Sequence, residues 1–106
     1  MYIAWTTVSK ASDAEALAAV IVERRLAACV QIDGPIVSVY HWNGHTERAE
    51  EFRLSIKCTT NQLPELEREV LQRHPYETPE WMVVRADHVG EKYLSWATAN
   101  STTPPL

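Results

Sequence analysis

Residues 29–58, CVQIDGPIVSVYHWNGHTERAEEFRLSIKC, decide the fold, because they read as two long strands folded back on one another at Asn43-Gly44. An Asn-Gly pair between alternating apolar residues is the strongest short-range hairpin signal, since a two-residue turn of the favoured hand needs positive φ at both central positions. In the returning strand Phe52, Leu54, Ile56 and Cys58 alternate with Arg53, Ser55 and Lys57, which marks one face as buried. A two-residue turn sets Trp42 opposite His45. Carried down the ribbon, that register sets Val30 opposite Lys57 and Cys29 opposite Cys58, and it turns Val30 and Ile32 away from the face of Leu54 and Ile56. One residue has to slip. Gly34 beside Pro35 is the natural place for a bulge, which would also bend and twist the ribbon; a three-residue turn would serve instead. Either way Cys29 and Cys58 fall on opposite faces, so no disulfide is expected between them.

Working outward, Tyr2 to Val8 alternates as a strand with bulk on both faces. Ser12-Asp13-Ala14-Glu15 is a capping box, which starts a helix at that point. Its inner stripe is Ala14, Leu17, Val20 or Ile21, and Ala28, and with no glycine or asparagine to mark the end the boundary is placed near Leu26 to Ala28. Beyond the hairpin a second helix is expected from about Gln62 to Arg73, with Pro64 in its first turn and Leu63, Leu66 and Val70 inward. Glu69 and Arg73 sit four apart and read as a solvated pair worth a few tenths of a kcal/mol. Pro75 should end that helix and hold His74 in extended geometry, so His74-Pro75-Tyr76-Glu77-Thr78-Pro79-Glu80 forms a stiff joint carrying an imidazole, a phenol and carboxylates. Ordered joints on rigid scaffolds are favoured places for function. Trp81 to Ala86 reads as the fourth strand and Gly90 to Asn100 as a short last helix, with a mobile tail at 101–106.

The order β-α-β-β-α-β, with a long second hairpin and a short C-terminal helix, is the α+β, ferredoxin-like arrangement in one domain over 1–106. Two helices cover one face of the sheet and none covers the other. That face can present Trp5 or Trp81, and an apolar sheet face open to water predicts self-association. Tyr40 and Trp42, near the hairpin tip, are placed to reach a neighbour.

Bulk numbers narrow the function classes. A chain of 106 residues with 45% hydrophobic and 23% charged residues can bury a core without staples. Its formal charge of -4, with no basic stripe, argues against a nucleic-acid partner. No apolar run is long enough for a membrane span, no export signal is recognisable, and two cysteines suit a reducing compartment, so a cytoplasmic location is expected.

Arg25-Leu26-Ala27-Ala28-Cys29-Val30, Tyr40-His41-Trp42-Asn43-Gly44, Ile56-Lys57, His74-Pro75-Tyr76-Glu77 with Pro79-Glu80, and Tyr93-Leu94-Ser95-Trp96 together resemble the CutA family of divalent-cation tolerance proteins, from about Tyr2 to Ala99. The resemblance implies a ferredoxin-like fold, a tight homotrimer whose sheets meet around a central axis, an architecture like that of the PII signalling proteins, and a link to copper or another divalent cation. Some members are proposed to bind metal through positions that correspond here to Trp5, Arg73 and His74, of which only His74 is a ligand type. One imidazole cannot form a strong copper or zinc site alone. Cys29, His41, His45 and His88 are the other candidates.

Two function classes compete. In the first, a trimeric, non-enzymatic, metal-associated binding protein uses Cys29, Trp42, Lys57, Tyr76 and Glu77 to line a cleft between subunits that accepts a metal ion or a small anion. The same Lys57 and Glu77 could instead form an interfacial ion pair that sets the trimer's register. In the second class, a PII-like trimer presents its loops to a protein partner or small ligand without metal. Catalysis is disfavoured, since the sequence has no nucleophile elbow, phosphate loop or zinc-protease motif.

Overall fold

The computed structural model describes residues 1–101. Seven elements follow in order: β1 (Tyr2–Val8), α1 (Ala11–Glu23), β2 (Cys29–Trp42), β3 (His45–Cys58), α2 (Leu63–Arg73), β4 (Met82–Arg85) and α3 (Glu91–Asn100). The strands form one antiparallel sheet in the order β2-β3-β1-β4, so the two central strands are the first strands of the two βαβ halves. The core lies between this sheet and the paired helices. Ala4 and Val8 of β1, Leu54, Ile56 and Cys58 of β3, Ala14, Leu17 and Ile21 of α1, and Leu66 and Val70 of α2 form it.

The hairpin register slips at Gly34-Pro35, one of the two places the sequence allows. Cys29 opposes Lys57 and Val30 opposes Ile56, whereas beyond Asp33 the pairing moves on by one, from Ile36 opposite Glu51 to Trp42 opposite His45. The bulge at Gly34-Pro35 thus puts Val30 and Ile32 on the face of Leu54 and Ile56, and the three-residue turn is not used. Asn43 and Gly44 take φ of 49° and 81°, as the two-residue turn demands. A Cβ on Gly34 would lie 2.9 Å from Cγ and Cε1 of Phe52, so a side chain there would force the ring or the bulge to shift. From Ile36/Glu51 to the tip the ribbon extends past β1, whose pairing ends at Val8 opposite Phe52, as an arm with no other strand beside it.

Three local expectations need correction. The capping box does not cap: α1 begins at Ala11 with Lys10 as N-cap, and the Lys10 carbonyl accepts from the Ala14 amide at 3.1 Å. Burial of Ala14, Leu17 and Ile21 against the sheet sets the phase of the helix, which leaves Ser12 and Asp13 inside its first turn. The helix also ends at Glu23, well before Leu26. Arg25 takes φ 56°, its amide bonds the Val22 carbonyl at 3.0 Å and the Leu26 amide bonds Ile21 at 2.9 Å, a Schellman stop with arginine in the place glycine usually takes. Trp81, thirdly, packs against the core on the helical side, because Trp5 pairs with Met82 and so puts Val83 and Trp81 on the other face.

The helix-free face therefore carries Ile3 and Trp5 of β1 with Met82 and Val84 of β4, and Met82 is 54% exposed. At the end of α3, Ser101 is buried and its carbonyl accepts from the Gln62 amide group; the rest of the expected tail, 102–106, lies outside the described residues. No helix among the described residues is long and apolar enough to cross a membrane.

Candidate functional site

Pro75 acts on the joint as its ring chemistry dictates. α2 stops at Arg73 and His74 adopts φ -69°, ψ 133°, the extended geometry a following proline enforces. That turn drives the imidazole inward, where the residue is 9% exposed. Nε2 lies 2.9 Å from both the Thr7 carbonyl and Thr6 Oγ1, and Nδ1 accepts the Tyr76 amide at 3.1 Å. An amide N–H can only donate and a carbonyl can only accept, so the ring is neutral with its proton on Nε2, shared between the two threonine oxygens. Burial lowers the His74 pKa, opposed by the Thr7 carbonyl and the charge of Glu51.

Tyr76 extends this network to the arm. Its hydroxyl donates to Glu51 Oε2 at 2.8 Å, and its ring stands 4.9 Å from that of His74. Burial first, and then the Glu51 carboxylate, push its phenol up to about 12, so it stays a protonated donor at physiological pH. Glu77, next in the chain, is exposed.

A second cluster lies at the far end of the sheet, on the face that α1 and α2 leave uncovered. Cys29 and Lys57 are direct cross-strand partners, and the Lys57 amine donates to Gln31. Burial first, and then the nearby Cys29 thiol, raise the phenol of Tyr93 in α3. Cys58 faces the core, where burial lifts its thiol to about 11; both cysteines are free. Trp42, 52% exposed, stands at the arm tip, about 40 Å from Cys29 at roughly 3.3 Å per strand residue. One chain thus brings Cys29 to Lys57 and Tyr76 beside Glu77, and it keeps these pairs and Trp42 apart.

Several participants were missed from sequence. Glu51 sits in the charged run Glu47-Arg48-Ala49-Glu50-Glu51, which reads as solvated, and nothing local marks it as a partner for Tyr76. Alternation places Thr6 and Thr7 on the two faces of β1 and gives no sign that they meet His74. The Glu69–Arg73 pair forms at 3.0 Å, but it is not a solvated face: Glu69 is 7% exposed and also takes Arg24 Nη1 at 2.7 Å. Hollows on the surface lie elsewhere. One of about 600 Å³ lies beside Arg25, Thr59, Gln62 and Leu94, and one of about 320 Å³ beside Leu17, Arg73 and Pro75; neither holds a predicted site residue.

For a divalent cation the donor set is the test. Among the described residues no three His, Cys, Asp or Glu side chains come together in a way that could hold a metal ion. The described residues of a single chain therefore do not fit a resident copper or zinc ion.

The chain matches the family model described as CutA1 divalent ion tolerance protein over residues 2–100. It is 36% identical over 95 residues to the divalent-cation tolerance protein CutA of Thermus thermophilus, spanning 90% of this chain and 92% of that protein. The solved structure of the divalent cation tolerance protein Cut A1 from the same organism superposes with a TM-score of 0.90 at 34% identity, covering 96% of this chain and all of that one, 100%. The structure of the periplasmic divalent cation tolerance protein CutA from Archaeoglobus fulgidus also superposes with a TM-score of 0.90, at 30% identity over 96% of this chain and 100% of its own.

Proposed function

This chain belongs to the CutA1 divalent ion tolerance protein family, and from that premise we propose that it serves divalent-cation tolerance as a homotrimeric binding protein, not an enzyme, whose ligand cleft forms where copies meet. The observation that carries this reading is the uncovered face of the sheet, with Ile3, Trp5, Met82 and Val84 on it and an arm of exposed apolar residues beside it. Val39 on that arm is 65% exposed. Apolar surface of this kind is stabilised by association, at about 25 cal/mol per Å² removed from water. Cys29 and Lys57 lie on the same face, so association would wall them in. Trp42, Tyr76 and Glu77, dispersed in one chain, complete the cleft from neighbouring copies. Lys57 gives it affinity for a small anion, and thiol and carboxylate groups pooled from several copies could hold copper or another divalent cation. Two free thiols suit the cytoplasm as the place of action.

A second reading, a PII-like trimer that presents its arms or loops to a protein or small ligand without metal, is favoured by one observation: no cation-binding group of side chains exists within the chain among the described residues. Sedimentation at micromolar concentration, followed by titration with copper(II) and zinc(II) read by tryptophan fluorescence, separates the readings. A mass three times 12.1 kDa with a saturable response supports the first, and the same mass with no response selects the second. A folded species of single-chain mass sinks both.

A further inference from the structure

We infer that His74 is an internal tether, a neutral imidazole that positions Tyr76 against Glu51 at the root of the arm, and that it takes no part in holding a divalent cation. A metal ligand must offer a lone pair. Nδ1 already gives its lone pair to the Tyr76 amide at 3.1 Å, and Nε2 carries the proton that the Thr7 carbonyl and Thr6 hydroxyl share at 2.9 Å. Ligation through Nε2 would expel that proton and leave a buried strand carbonyl without this donor, and ligation through Nδ1 would strand the Tyr76 amide. The two positions that resemble ligand positions elsewhere in the family are engaged as well. The Trp5 indole N–H donates to Ser55 Oγ at 2.9 Å, and Arg73 Nε donates to Glu69 at 3.0 Å.

The tether has a direction. It starts on the backbone of β1, passes through the imidazole to the Tyr76 amide, and continues from the Tyr76 hydroxyl to Glu51. Glu51 is the first residue of β3 on the arm side of the bulge, opposite Ile36. The joint is thereby fixed at one end to the sheet body and at the other to the arm. Only the second half of the inference, the exclusion of the cation, rests on the cation-tolerance reading.

Nitrogen-15 spectra of the ring test both halves in the intact protein. The expected result is an Nε2-protonated tautomer whose ring shifts do not change when zinc chloride is added to one equivalent per chain. A proton on Nδ1, or a zinc-dependent shift of either nitrogen, overturns the inference. Calorimetric zinc affinity should stay within twofold in His74→Gln, and a tenfold loss would count against it. Amide exchange at Tyr76 should quicken at least tenfold in His74→Ala and return toward the parent rate in His74→Asn, whose side-chain oxygen can accept that amide; no change in exchange removes the positioning role. If the parent protein binds no zinc, the metal form of the proposed function falls, and the tautomer and exchange measurements alone uphold or overturn the tether.

Discussion

At position 34 the space a methyl group would need is already filled by the Phe52 ring. Gly34→Ala must push that ring aside or open the bulge, and overpacking of this kind costs about 1–3 kcal/mol. Chemical denaturation should show that loss, and the double variant Gly34→Ala/Phe52→Leu should recover part of it, because the two positions are coupled through one contact. The need for a one-residue shift in the hairpin was legible, since a plain two-residue register cannot put Val30 and Ile32 on the face of Leu54 and Ile56; that Gly34 takes it, and not a three-residue turn, is what the pairing shows. Its enforcement by Phe52 was not legible, because alternation assigns a side chain to a face without saying how far along the strand its ring leans. Arg25 is the opposite case. Nothing in its type announces φ 56°, and a helix end without glycine or asparagine is therefore read too late.

At the scale of elements, α1 and α2 are joined by a carboxylate between two guanidinium groups. Arg24, the C-cap of α1, and Arg73, in the last turn of α2, both reach Glu69. The hydrogen bond from Arg24 first, then that from Arg73, hold the Glu69 carboxyl below the ordinary glutamate range. A carboxyl depressed in the fold favours the folded state above its unfolded pKa, and that contribution is lost as the pH falls through the folded value. Thermal midpoints measured from pH 7 downward should show the parent above Glu69→Gln at neutral pH, with the two curves converging in acid below the ordinary glutamate range. Parallel curves across the whole interval would remove the clasp from the account. Helical spacing revealed the Glu69–Arg73 half of it, because both residues lie on one helix. Arg24 comes from a different helix and a hairpin earlier in the chain, beyond what any window of sequence can pair. The same limit hid the Tyr76–Glu51 bond, whereas the strand pattern alone brought Cys29 and Lys57 together.

For the whole molecule, the helix-free face is the feature the proposed function depends on. Met82→Glu changes an exposed residue, so the single chain should fold with little change in stability. If copies cover that face, burying a carboxylate there should weaken association by tenfold or more, and sedimentation would show the mass falling toward 12.1 kDa on dilution. A mass that does not change on dilution would put the interface elsewhere. Topology was readable because each strand and helix carries its own periodicity. The cleft was not, since in one chain Cys29 and Trp42 stand at opposite ends of a molecule 48 Å long.

The arm beyond the bulge works as a lever. Ile36 to Trp42 spans about 20 Å at roughly 3.3 Å per residue, so a change of about 10° in the angle at Gly34 carries the indole through about 3.5 Å. Aim at the far end is therefore settled near the pivot, by the Phe52 ring against Gly34 and the Tyr76 phenol on Glu51.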